Sequence, residues 1–123
     1  MPGVAESVLV VDDEPSIRLL CKVNLELEGY RVLEADTLEA ARAQLRSERV
    51  SVVLLDVHVG ADDGRELLAE LRAERPEVPI ALFSGTTEPY SIAVLGADAI
   101  IPKPFTLDEL AGTVERLAGS ARV

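Results

Sequence analysis

Asp12, Asp13 and Glu14 stand together directly after the apolar run Val8-Leu9-Val10-Val11, and Asp56 directly follows Val52-Val53-Leu54-Leu55. Carboxylates brought into one place repel each other unless a cation lies between them or one is protonated. The hard cation that takes few carboxylates and keeps several waters is Mg²⁺. A carboxylate emerging from an apolar background is also a nucleophile toward phosphorus, because aspartate forms acyl phosphates in covalent catalysis. Ser84, at the end of Ile80-Ala81-Leu82-Phe83, offers a short hydroxyl donor, and Lys103, after Ala99-Ile100-Ile101, offers a second cation. Asp56, Lys103 and Ser84 with a metal make a complete set for handling an anion, since the positive charges let a phosphoryl group approach. Taken alone, the acidic triplet could equally begin a helix, where acids favour the dipole. Paired with an acid at the end of a buried strand, it reads as a site.

Five apolar, β-branched runs must position these residues: Ser7–Val11, Tyr30–Ala35, Val50–Leu55, Val78–Phe83 and Ala99–Ile101. Continuous apolar runs of this length suit strands buried on both faces of a parallel sheet. Helical patterns lie between them. Pro15 fits a first turn, and Ile17, Leu20, Cys21, Leu25 and Leu27 trace a stripe that stops at Gly29. Asp36 or Thr37 can cap a helix carrying Leu38, Ala41 and Leu45, and Gly64 opens another that ends before Pro76. Thr106 with Glu109 forms a capping box for a last helix through Leu110, Val114 and Leu117. The stretch Glu88–Leu95 allows only about two helical turns before Gly96. Strand and helix thus alternate five times, which predicts an α/β domain with a parallel sheet and right-handed crossovers. Ligands on such a sheet sit at the carboxyl ends of the strands.

The composition narrows the function further. With 22 acids against 12 bases in 123 residues, the net charge is −10. A nucleic-acid backbone is repelled, so no direct nucleic-acid binding is expected. The first loop carries acids in place of the glycines that cradle phosphates, which argues against a nucleotide or flavin carrier. Cys21 is the only cysteine, leaving no intrachain disulfide or cysteine metal cluster. No apolar run is long enough to insert into a membrane, and the first residues carry no secretory signal. A cytoplasmic protein with residues 1–123 as one domain is the expectation.

At these residues the chain resembles the receiver domains of two-component response regulators. The features that carry the likeness are Asp12-Asp13, Asp56, Asp63-Gly64, Ser84-Gly85, Gly96-Ala97-Asp98 and Lys103-Pro104-Phe105, which occur in order along essentially the whole chain. The resemblance implies a flavodoxin-like doubly wound (βα)5 fold with strand order 2-1-3-4-5. It implies a signalling phosphoacceptor with no enzymatic activity beyond slow self-dephosphorylation. Asp56 would take a phosphoryl group from a sensor histidine kinase or a histidine phosphotransfer protein, altering the binding of a downstream protein. Asp13, Asp56 and the backbone carbonyl of His58 would hold Mg²⁺, with Asp12 acting through water. Lys103 would contact the phosphoryl group, Ser84 would close on it, and Lys103-Pro104 would be cis.

The chain also departs from the family pattern. Gly60 stands where proline is common, predicting a looser loop after Asp56. Ser84 and Lys103 are about one helical turn closer than usual, so the fourth helix should be short or irregular. The aromatic usually found three before the lysine is replaced by Ile100, which is stiff at χ1 and has no hydroxyl. The usual switch is then absent or rewired; Tyr90, six after Ser84, is a candidate stand-in but reads rather as a helix-surface tyrosine. His58 reads as a solvent-facing rim residue, Cys21 as core, and Arg42, Arg46 and Arg49 as a solvated face. Two rivals differ from this reading. An aspartate-nucleophile phosphohydrolase wants nucleophile and acid two apart on one loop, but Asp12 and Glu14 are followed by Pro15 without the expected hydroxyl residue. A degenerate receiver that binds partners without phosphorylation would not need the intact Asp13, Asp56, Ser84 and Lys103 set.

Overall fold

The computed structural model describes residues 6–85 and 96–121, the last two by backbone alone. The elements in chain order are β1 (Ser7–Val11), α1 (Pro15–Leu27), β2 (Arg31–Ala35), α2 (Leu38–Ser47) and β3 (Val52–Asp56). There follow β4 (His58–Val59), β5 (Asp62–Asp63), α3 (Gly64–Glu74), β6 (Ile80–Ser84), β7 (Ala99–Pro102) and α4 (Leu107–Ala121). The main sheet is parallel with order β2-β1-β3-β6-β7. Among the five predicted strands this is the expected order 2-1-3-4-5, and the fold is flavodoxin-like. The stretch 88–95, where the short or irregular fourth helix is expected, and Tyr90 lie outside the described residues, so α4 here is the last helix of the sequence reading.

Each central strand serves two cores, which is why its sequence is apolar without alternation. Leu9, Val11, Val53, Leu55, Ile80 and Leu82 face α2 and α3, meeting Leu38, Ala41, Leu45, Leu67, Leu68 and Leu71. Val8, Val10, Val52, Leu54, Ala81 and Phe83 face α1 and α4, meeting Cys21, Leu25, Leu110, Val114 and Leu117. Burial pushes the Cys21 thiol up to about 12, so it sits in this core as a protonated, inert group.

Two helix starts follow their sequence signals. Thr37 accepts the Ala40 N–H at 3.0 Å and is the cap of α2. Thr106 and Glu109 exchange bonds of 2.7 and 3.0 Å ahead of α4, completing the capping box. Arg42, expected on a solvated face, instead forks onto Glu70 at 2.9 and 2.7 Å and ties α2 to α3. The loop after Asp56 is also not loose. His58 and Val59 pair with Asp63 and Asp62 as an antiparallel hairpin whose turn contains Gly60 at φ +62°. Proline cannot adopt that φ, so glycine here selects a different closed turn and does not simply loosen the chain.

Candidate functional site

Strand order reverses between β1 and β3, and the chemistry gathers at their carboxyl ends, as the rule for open α/β sheets requires. Val11 pairs with Leu55, so the residues just beyond, Asp12 and Asp56, emerge side by side. Asp12, Asp13 and Asp56 each bring a carboxylate oxygen within 4.8 Å of the others. Asp12 is fully buried, Asp56 nearly so, and Asp13 is exposed. Three hard oxygen donors in this arrangement, one of them open to solvent, suit Mg²⁺.

Lys103 enters from the end of β7 and lies across the pair. Its Nζ donates to Asp12 Oδ2 and Asp56 Oδ2, both at 2.9 Å, and approaches Glu14 Oε1 at 3.5 Å. The backbone positions it: the Lys103 N–H donates to the Ser84 carbonyl at 2.8 Å, and Ser84 pairs with Pro102 across the β6–β7 ladder. The Lys103–Pro104 bond is cis. Burial by itself favours a neutral amine, but the two carboxylates outweigh it and hold Lys103 above its ordinary value. The ammonium therefore persists throughout the physiological range.

Asp56 is raised above its ordinary 3.8. Burial is the largest cause, opposed by the Lys103 hydrogen bond, with repulsion from Asp12 adding to the rise. Sequence reasoning expects repulsion among the acids to raise one of them. The direction holds, but the leading cause is the dry end of β3. Asp56 Oδ1 also accepts the His58 N–H at 3.2 Å, so each carboxylate oxygen carries one bond and keeps a free lone pair.

Asp12 is more committed than its expected role through water suggests. Its Oδ1 accepts the Glu14 N–H at 2.9 Å, its Oδ2 takes Lys103, and its carbonyl accepts Arg18 Nη1 at 2.8 Å. Asp12 therefore builds the first loop and anchors the lysine. Ser84 is buried at the end of β6, where its hydroxyl donates to the Gly85 carbonyl at 2.9 Å. Ile100 is partly exposed on β7, and the His58 residue is exposed on the rim.

Three further residues shape the site. Phe83 stacks on Phe105 with ring centroids 5.3 Å apart, and Lys103 Nζ lies 5.6 Å over the Phe83 ring. The ammonium thus rests on an aromatic floor that favours its charge. Gly64, at the start of α3, sits against the backbone of Asp56. A Cβ there would collide with the Asp56 carbonyl oxygen and lie 3.2 Å from that of Val57. Its N–H also donates to Val57 O at 2.6 Å. Gly64→Ala should cost about 1–3 kcal/mol through overpacking of rigid backbone, and it should weaken metal binding by displacing Asp56. Urea unfolding and Mg²⁺ titration check both. The sequence marks Gly64 as a helix start and as part of the Asp63-Gly64 motif but not as this contact, because a contact between two backbones leaves no pattern in residue types.

The family model for the response regulator receiver domain matches residues 8–115. The chain is 36% identical over 125 residues to the nitrogen assimilation regulatory protein NtrX of Azorhizobium caulinodans, covering 98% of this chain and 28% of that protein. It is 34% identical over 115 residues to the alkaline phosphatase synthesis transcriptional regulatory protein PhoP of Bacillus subtilis, covering 91% of this chain and 48% of that protein. It therefore spans less than half the length of these curated relatives. Among solved structures, the receiver domain of NtrX from Brucella abortus matches with TM-score 0.86 and 33% identity, over 91% of this chain and 98% of that one. A CheY-like receiver domain protein from Methanospirillum hungatei matches with TM-score 0.89 and 28% identity, over 97% and 98% of the two chains. Among the described residues no helix is long and apolar enough to cross a membrane.

Proposed function

Because this chain belongs to the family of response regulator receiver domains, we propose that it accepts a phosphoryl group on Asp56 from a phosphohistidine of a sensor histidine kinase or a histidine phosphotransfer protein. The observation that carries the reading is the convergence of Asp12, Asp13, Asp56 and the Lys103 ammonium at the switch point of the sheet. In the transfer, an Asp56 oxygen forms the new P–O bond as the histidine P–N bond breaks, and the imidazole leaves with the electron pair. Lys103 holds the carboxylate in place and then compensates the incoming phosphoryl charge. The His58 N–H keeps the carboxylate plane from rotating, because it fixes Oδ1 while Lys103 fixes Oδ2.

Asp13 and Asp56, joined by the His58 carbonyl, would hold Mg²⁺. Bound there, the ion neutralises the acids and screens the phosphoryl oxygens. Asp12 keeps the loop and the lysine in place for it. Ser84 would turn from the Gly85 carbonyl to donate to a phosphoryl oxygen, which ties occupancy of Asp56 to the end of β6.

The face of α1 supports a protein donor. Leu19, Leu20, Val23 and Leu27 are exposed along it. A recess of about 390 Å³ lies between Glu14, Ile17 and Leu20 on one side and Lys103, Pro104 and Phe105 on the other. An apolar helical surface beside the acceptor suits a donor that presents its histidine from a helix. The phosphoryl state would then alter the binding of a downstream protein, with Ile100 in place of the usual aromatic on the output face.

The test is incubation with a small-molecule phosphodonor, with Mg²⁺ or with excess chelator, followed by mass mapping. One acyl phosphate on Asp56, cleaved by alkali and by hydroxylamine and formed only with Mg²⁺, is expected. Equal labelling in chelator, or a label elsewhere, refutes the mechanism. The same Mg²⁺ should raise the melting temperature near neutral pH by mass action, and less in acid, where Asp56, raised by burial, takes up a proton.

A further inference from the structure

Strand β7 is the edge of the sheet, and only Ile101 of its four residues is buried. Register in a strand is set by its buried face, so burial specifies this one weakly. Yet its register decides the site, since Lys103 is the next residue after β7. A slip of one residue turns the lysine to the opposite face, and a slip of two moves it by roughly 6–7 Å. Something outside the core must therefore hold β7 in place.

At the far end of β7, Arg72 from α3 donates to the neighbouring segments from all three of its guanidinium nitrogens. Its Nε donates to the Gly96 carbonyl at 2.7 Å, its Nη1 to the Val78 and Pro76 carbonyls at 2.9 and 3.4 Å, and its Nη2 to Asp98 Oδ2. Asp98 in turn holds the first residue of β6 from both sides. The Ile80 N–H donates to Asp98 Oδ2 at 2.8 Å, and the Asp98 N–H donates to the Ile80 carbonyl at 2.8 Å. The next pair along is Ala81 with Ala99, where the β6–β7 ladder begins. One planar fork thus joins α3, the turn into β6 and the turn into β7, a task that needs arginine's fixed multiple donors.

We propose that Arg72, acting through Asp98, is a positioning residue that pins the register of β7 and so delivers Lys103 to Asp12 and Asp56. It touches neither the acceptor nor the metal ligands. The functional half of the proposal rests on the phosphoacceptor reading above; the register half does not.

Arg72→Ala separates the two. The Lys103 amide, bonded to the Ser84 carbonyl, should exchange with solvent faster, while the amide of Val10 in the central strand reports only global opening. Phosphoryl uptake from a small phosphodonor should slow by about tenfold or more, because misplacing a positioned group by around an ångström costs up to about 10²-fold. Mg²⁺ affinity should not fall, since Asp13 follows β1, Asp56 ends β3, and a lysine drawn away from Asp12 and Asp56 leaves them one competing cation fewer. Arg72→Lys keeps the charge but not the fork and should recover only part of the rate. Lys103 exchange equal to the parent's, or a fall in Mg²⁺ affinity parallel to the rate, overturns the proposal. If Arg72→Ala does not fold, Asp98→Asn supplies the same comparison in milder form, and parent-like exchange and rate there overturn the proposal equally. A parent protein that takes no phosphoryl group refutes the phosphoacceptor reading, and the exchange arm still decides the register.

Discussion

Asp56→Asn is expected to take up no phosphoryl group and yet to melt at a higher temperature than its parent in chelator. The first effect follows from chemistry, because an amide is no nucleophile toward phosphorus. The second follows from the burial that raises Asp56 above 3.8. An acid that holds its proton more tightly in the folded state contributes stability at low pH. That contribution is lost as pH rises from the unfolded value through the higher folded one, and it is absent at neutral pH. Asparagine removes the cost and keeps one carbonyl oxygen for Lys103, which also retains Asp12, while giving up only the longer 3.2 Å bond from the His58 N–H. A gain of about 1 kcal/mol would appear as roughly 4 °C in a chain of this size. The gap should narrow on acidification, as the parent's Asp56 becomes protonated. It should also narrow on adding Mg²⁺, which stabilises the parent and binds the variant weakly. Thermal melts over pH with and without Mg²⁺ provide the check. A variant less stable than its parent in chelator at neutral pH would show that Asp56 is not a stored cost in this fold.

The parts of this molecule legible in its sequence are those where burial leaves a mark on residue type. Strands β1, β3 and β6 read clearly because both their faces are dry, and the acids at their ends stand out against that background. Thr37, Thr106 and Glu109 read as caps because capping selects a side-chain oxygen at a set distance from a backbone N–H. What was hidden depends on pairs far apart in the chain or on backbone alone. Arg42 and Glu70 are 28 positions apart, and Arg72 and Asp98 are 26 apart. Arg42, Glu70 and Arg72 read as ordinary surface charges, and Asp98 only as part of a motif, until the fold brings each to its partner. The β4–β5 hairpin is two residues a side, too short for alternation to register. Its glycine, unlike proline, signals only a permissive backbone, and the positive φ appears once the strands pair. Phe105 belongs to the motif by resemblance, but its stacking on Phe83 beneath Lys103 is a tertiary fact.

Lys103→Ala should reduce phosphoryl uptake at Asp56 by about 10²-fold or more, the cost of losing one preorganised charged donor at a site of developing negative charge. The same change should destabilise the metal-free fold more than a strand-end position suggests from sequence alone. Lys103 is the cation facing the fully buried Asp12 carboxylate and the nearly buried Asp56. Removing it leaves both to each other, at about 1–3 kcal/mol for charged groups stripped of a partner. Two signatures separate this electrostatic account from simple loss of packing. Mg²⁺ should restore most of the lost stability, since a cation returns to the carboxylates. The deficit should also shrink in acid, where Asp56 takes up a proton. Neither recovery restores the rate, because the donor to the phosphoryl oxygen is still missing. Lys103→Met, which keeps the stem over Phe83 but not the charge, should match alanine in rate and in the response to Mg²⁺. If Lys103→Met instead transfers phosphoryl groups at the parent's rate, the lysine serves as packing over the aromatic floor, and its electrostatic role is refuted.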